Sequence, residues 1–186
     1  MNPYATALFI HFLGMTGLFV GYGLEWAASS LLRRSTSSDQ ARAWLSVYKL
    51  SLPISGPGLL ILIVSGGYMA SLTQGMKLAW ISASLLGIVF ALAIGFALIL
   101  PRVKKIRAAL PEGSAALPEA ALACVQDPMV LTLIRVRAIL ALGIVYLMTI
   151  KPETLATSFF ILLGAIVIGL LSSASSWFSS PVTAKS

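Results

Sequence analysis

Charge is what this chain of 186 residues has least of: Asp, Glu, Lys and Arg make up only 10% of it. A soluble domain carries about 25%, so this surface cannot face water throughout. That shortage excludes a soluble enzyme, a disordered tail and a nucleic-acid-binding module. Cysteine is nearly absent as well. Cys124 stands alone, which excludes a disulfide within the chain and a cysteine-rich metal site. It falls in a loop expected to face the cytoplasm, where a free thiol is ordinary. Histidine is equally scarce. His11 is the single imidazole, so haem held between two histidines would need a homodimer. Neither a G-x-S-x-G turn nor an H-E-x-x-H pair occurs. Glu25 is the only acid inside an apolar run, so the spans hold no carboxylate pair. These gaps argue against an enzyme.

Apolar sequence fills the space that charge leaves. Residues of apolar type make up 58% of the chain, and the mean hydropathy is +0.94. A spanning helix needs roughly 20 apolar residues to cross about 30 Å of hydrocarbon. Five segments come up to that length, at about 4–32, 44–72, 78–100, 129–150 and 157–176. The expected fold class is all-α: one polytopic membrane helix bundle over residues 1–186, with a loop at about 101–128. The first segment lacks a basic n-region, its apolar run is too long, and Arg33-Arg34 stands where a cleavage site would be. It reads as a retained span and not as a signal peptide.

The basic residues set the orientation. Arg33, Arg34, Arg42 and Lys49 follow span one, and Arg102, Lys104, Lys105, Arg107, Arg135 and Arg137 follow span three. Lys185 in the tail joins them, whereas only Lys77 and Lys151 fall on the other side. Short loops rich in Lys and Arg stay inside. The N-terminus is therefore expected outside and the C-terminus inside, in a bacterial inner membrane. Tyr4, Trp44, Trp80 and Trp177 fall near span ends, where amphipathic rings favour the interface. Within the long loop, Pro118-Glu119 opens an Ala-rich run suited to one short helix. The rest reads as a solvated connector on the membrane surface, or as a docking element for a partner.

Span one is the informative helix. At 100° per residue, His11, Gly14, Met15, Leu18, Gly21, Tyr22 and Glu25 share one small, polar stripe. Phe9, Phe12, Leu13, Phe19 and Val20 fill most of the remainder. The bulky side should face lipid and the small side protein, since close approach and polar contacts drive helix association there. Ionisable groups inside a membrane are costly and mark function or pairing. Glu25 is therefore expected to pair with Arg135 or Arg137, which lie at comparable depth in span four. Those two arginines are 200° apart on a helix, so the other should snorkel to headgroups.

Three further features stand out. Pro53 with Gly56-Pro57-Gly58 removes backbone donors in span two and predicts a kink or a local break. Gly87, Ala91 and Gly95 in span three, and Ala165 and Gly169 in span five, form small-residue seams. Such seams zip helices of one chain together, or of two copies. Lastly, His11, Met15, Met69 and Met148 all fall in the outer half of the expected topology. Imidazole and thioethers suit Cu(I), and His with Met also ligates haem iron. Methionine packing round a hydrogen-bonded histidine is the plainer reading of the same four residues.

The stretch Phe9-Ile10-His11-Phe12-Leu13-Gly14, followed by Gly17, Gly21 and Gly23, resembles the opening of a family of predicted bacterial integral membrane proteins. That family is distantly similar to the membrane domain of copper-resistance protein D. Gly56-Pro57-Gly58-Leu59-Leu60 through Gly66-Gly67-Tyr68, and Tyr146 through Pro152, look alike too. The resemblance implies a small helical bundle with a span-one histidine and a link to copper or haem. A typical copper-family chain has more histidines and more spans. Three functions follow as expectations: a haem- or copper-related role centred on His11, a structural or accessory subunit of a membrane complex, or a proton-coupled permeation protein using Glu25. The partners expected are the lipid bilayer, a second copy or another membrane protein, and no nucleic acid.

Overall fold

The computed structural model describes residues 2–72, 78–111 and 116–178, with side chains described through Ala174. Lys77 and Lys185 lie outside the described residues, as does the Trp177 side chain. The described chain is helical: α1 (Pro3–Leu32), α2 (Ser38–Lys49), α3 (Ser51–Leu72), α4 (Ala79–Ala93), α5 (Leu100–Ala109), α6 (Glu119–Gln126), α7 (Pro128–Ile150) and α8 (Leu155–Phe178). A π-helical segment, Ile94–Ile99, joins α4 to α5 without a break. Five of these runs are long and apolar enough to cross a membrane.

Local chemistry sets the ends. Asn2 caps α1 by accepting from the Tyr4 amide at 3.0 Å, with Pro3 as the first helical residue. Asp127 does the same for α7, accepting from Met129 N at 2.9 Å ahead of Pro128. The stop of α7 falls at Lys151, whose φ of 52° turns the chain left-handed into Pro152.

The bundle has two groups of helices. α1 packs mainly on α3, while α7 is the most buried helix and packs on α8 and α4. α1 meets α7 through Leu18 and Tyr22 on one side and Ala138 and Ala141 on the other. The α1–α3 contact is close because glycine makes it so. A Cβ on Gly58 would lie 2.7 Å from Leu18 N, and one on Gly21 would lie 2.5 Å from Ser55 Cβ. Phe9, Phe12, Leu13 and Val20 stay exposed on the opposite face, where lipid would lie. The other seams close inside the chain. Gly87 faces Ile144, Gly143 faces Ala165, and Gly169 faces Val136.

Three features differ from the sequence expectation. Span two is two helices, and the interruption falls at Leu50, ahead of the expected Pro53, Gly56, Pro57 and Gly58. Pro53 explains the place. In a continuous helix its ring would clash with the carbonyl four residues back, on Lys49, which is the last residue of α2. After the break Pro53 sits in the first turn of α3, where its missing N–H costs nothing. The helix then runs through Pro57. Second, span three continues as far as Ala109. Pro101 lies just past the π-helical segment, whose wider turn accommodates the proline ring. Third, the described part of the segment after residue 101 is no solvated connector. Ile106, Leu110, Ala121 and Val125 are buried with Ala41 and Leu45 of α2 and Leu32 of α1. The expected short helix is α6. Together α2, α5 and α6 form a folded cap on the basic end of the bundle, and Ser38 Oγ ties it by donating to the Ala116 carbonyl at 3.3 Å.

Candidate functional site

Two polar sites lie on the inner stripe of α1. The deeper one is an ion pair. Glu25 is buried, and its carboxylate pairs with the Arg137 guanidinium reaching across from α7. Ser51, the first residue of α3, donates to Glu25 Oε1 at 3.1 Å. Tyr22, one turn from Glu25, lies under the guanidinium with 4.4 Å from Arg137 Cζ to the ring centroid. On the far side Arg137 rests on Gly95 of the π-helical segment, where a Cβ would stand 2.6 Å from Nη1. Any larger residue there would fill the guanidinium's place.

Chemically the cluster is balanced. One carboxylate and one guanidinium cancel, the hydroxyl of Ser51 serves the carboxylate, and the Tyr22 ring face serves the cation. In a membrane such a pair avoids the roughly 2.5–3.5 kcal/mol that a bare charge costs on insertion scales. Arg135 faces elsewhere. It donates through Nη1 to the Ser172 carbonyl of α8 at 2.9 Å and covers Trp26 at 5.5 Å. These two contacts hold it on the side of α7 away from Glu25. Lys49 is exposed at the end of α2.

The second site is His11. Its Nδ1 lies 3.0 Å from Ser65 Oγ of α3, and its Cε1 lies over Gly66, 3.2 Å from where a Cβ would be. Ser65 has one hydrogen, and its hydroxyl donates to the Ile61 carbonyl one turn back. With that hydrogen committed, the tautomer that suits the pair has Nδ1–H donating to Ser65, and the ring also hydrogen-bonds to the Leu62 backbone. That tautomer leaves Nε2 unprotonated, with its lone pair for a ligand. Beside the pair runs a groove of about 760 Å³ between α1 and α3, lined among others by Ala7, Ile10, Leu60, Val64, Ser65 and Tyr68.

The four soft residues expected to meet are not gathered at one point. Met15 is half-buried one turn from His11, and Met69 is half-buried one turn beyond Ser65. Met148 belongs to another interface, packed with Ala83, Leu147 and Leu162 among α4, α7 and α8. Sequence reasoning named Glu25, Arg137 and His11 but passed over Ser51 and Ser65. Each is a serine inside a long apolar helix, and that was the available signal.

The helices and these two polar sites define a polytopic helical integral membrane protein. Residues 5–152 match the family described as "Predicted integral membrane protein (DUF2269)", and the chain belongs to that family. The match spans α1 to α7, so it takes in His11, Glu25 and Arg137. No curated protein and no solved structure matches the chain.

Proposed function

We propose that this protein holds a haem on the α1–α3 face of the bundle, with His11 as the protein ligand to iron. The reading rests on one observation, the Ser65 hydroxyl that takes the Nδ1 proton and leaves Nε2 bare. Histidines that bind metal nearly always donate their other N–H in this way, which fixes the ring and raises its basicity. The neighbouring groove is apolar along Ile10, Leu60 and Val64, as a macrocycle edge requires. Copper fits less well. Cu(I) wants several soft donors at one point, and Met148 packs elsewhere. A bound haem would supply one-electron chemistry. The chain's own part is to fix the imidazole, through Ser65, and to exclude water with apolar side chains. We place the protein in a bacterial inner membrane, with the basic cap inside.

The competing readings have less support. The glycine seams that a partner helix would use are filled by Ile144, Ala165 and Val136 of the same chain. Glu25 is engaged by Arg137 and Ser51, which favours a structural role over proton carriage. A visible spectrum and metal analysis of the purified protein, before and after added haemin, test the proposal. A Soret band that His11→Ala abolishes and Ser65→Ala weakens is the expected result. A spectrum without a Soret band after haemin is added overturns it, as does one that His11→Ala leaves unchanged.

A further inference from the structure

α4 and α8 both pack on α7 and leave a groove of about 580 Å³ between them. Gly87 and Phe90 of α4, Leu140 of α7, and Ala156, Phe160 and Ile166 of α8 line it, and every lining residue is apolar or glycine. From Ala156 to Ile166 the α8 wall runs ten residues, about 15 Å at 1.5 Å per residue. Half of the roughly 30 Å hydrocarbon layer has the same length, so the groove is as long as one leaflet is deep. A helix of that length and 10 Å across would fill about 1,200 Å³, twice the volume of the groove. A single acyl chain is slimmer and lies within it.

A cation stands above this groove. Lys151 closes α7 at the end opposite the cap, and its ammonium lies 5.7 Å from the Trp80 ring centroid. Trp80 precedes Gly87 by seven residues, so the two share one stripe of α4, about 10 Å apart along its axis. Lys151 is exposed. Among the described residues the ion pairs are Arg42–Asp39 and Arg137–Glu25, so Lys151 belongs to neither and is not joined to its neighbour Glu153. It is also the one non-glycine residue with a positive φ among those described. A left-handed cap by itself favours glycine, and strain of this kind collects at functional positions.

We propose that the groove holds one acyl chain of a phospholipid whose phosphate sits on the Lys151 ammonium, beside Trp80. The ammonium is a compact charge with three donors, and phosphate oxygens accept them. The Trp80 ring at the same level suits the headgroup region. The chain covers Phe90 and Phe160, which the protein leaves exposed. The site belongs to the α4–α7–α8 group and is independent of His11 and of any prosthetic group.

The test uses the full chain in nanodiscs that hold phosphatidylethanolamine and diacylglycerol of the same chains in equal amounts. The protein is moved into mild detergent, and retained lipid is counted by native mass spectrometry. Wild type should retain phosphatidylethanolamine in preference to diacylglycerol. Lys151→Gln should lower that retention about fivefold, the weight of one hydrogen bond, while Lys151→Arg keeps it. Ala156→Trp, at an exposed position on the groove wall, should lower it too and serves if Lys151→Gln does not fold. Leu13→Trp, on the exposed face of α1, should change it less than about twofold. Equal retention of the two lipids by wild type overturns the proposal, as does unchanged retention in a folded Lys151→Gln or Ala156→Trp variant. A loss in Leu13→Trp as large as in Ala156→Trp would make the uptake indifferent to the groove and overturn it as well.

Discussion

Arg137 on α7 pairs with Glu25 on α1, and so joins the α1–α3 group to the α4–α7–α8 group through a buried ion pair. Removing one partner strands the other charge among apolar neighbours. Glu25→Gln and Arg137→Gln should each lower stability, by about 3–5 kcal/mol on the scale of broken buried pairs. The double variant should lose less than the two losses added together, because no uncompensated charge survives. Thermal unfolding in detergent measures all three. Two single variants as stable as wild type would show that the pair contributes nothing.

Glycine holds α1 against α3, and the two kinds of glycine in α3 make a controlled comparison. A Cβ on Gly58 would meet Leu18 N at 2.7 Å and the Gly14 carbonyl at 2.8 Å, both of them backbone atoms that cannot step aside. Gly56 and Gly67 have nothing within 4 Å. Gly58→Ala should therefore cost about 1–3 kcal/mol by overpacking, while Gly56→Ala and Gly67→Ala stay close to wild type. Equal melting temperatures for all three variants would contradict the close crossing.

The sequence made the spans legible because hydrocarbon thickness and helix rise together demand a run of known length. Glu25 was legible as a paired group because a lone carboxylate there is too costly. Which arginine it meets was not legible. Arg135 and Arg137 point to different sides of α7, and the choice depends on how α7 is rotated against α1, which packing at Ala138 and Ala141 decides. The break at Leu50 was hidden for another reason. A proline acts on the carbonyl four residues before it, so Pro53 has its effect at Lys49 and not at itself. Pro101 carried the corresponding signal for the π-helical segment. The folded cap was missed because Ile106, Leu110, Ala121 and Val125 are spread thinly through polar sequence. Their common partner, α2, lies far away in the chain.

Lys151 ends α7 with φ 52° and ψ 59°, a left-handed conformation that costs a residue with a Cβ about 1–2 kcal/mol. Its ammonium also lies 5.7 Å from the Trp80 ring centroid. Substitution by Ala or by Gly removes that contact equally, but only Gly also relieves the backbone. Lys151→Gly should therefore be more stable than Lys151→Ala by about 1 kcal/mol. Chemical denaturation of the two variants side by side reads the difference. Lys151→Ala matching or exceeding Lys151→Gly would refute the left-handed cap.

The proposed orientation places the cap inside. Thr36 is exposed between α1 and α2, and Glu153 is exposed between α7 and α8 at the opposite end. In a Cys124→Ser background, a cysteine at position 153 should react with an impermeant maleimide added to intact cells. A cysteine at position 36 should react only after the cells are opened. The reverse pattern would invert the topology and leave the helix packing untouched.

Gly95 tests whether the π-helical segment and the ion pair form one unit. A Cβ at Gly95 would stand 2.6 Å from Arg137 Nη1. A long side chain can usually retreat from such a clash, but this one is held by Glu25 on one side and by the Tyr22 ring on another. Gly95→Ala should then destabilise wild type by about 1–3 kcal/mol, as overpacking does. In the Glu25→Gln, Arg137→Gln background the guanidinium is gone and the shorter amide leaves room. The same substitution should there cost no more than about 0.5 kcal/mol, the margin within which independent sites add. The difference between the two backgrounds is the coupling between π-segment and pair. A Gly95→Ala cost that is equal in both backgrounds would mean that the wide turn answers only to Pro101, with Arg137 a bystander.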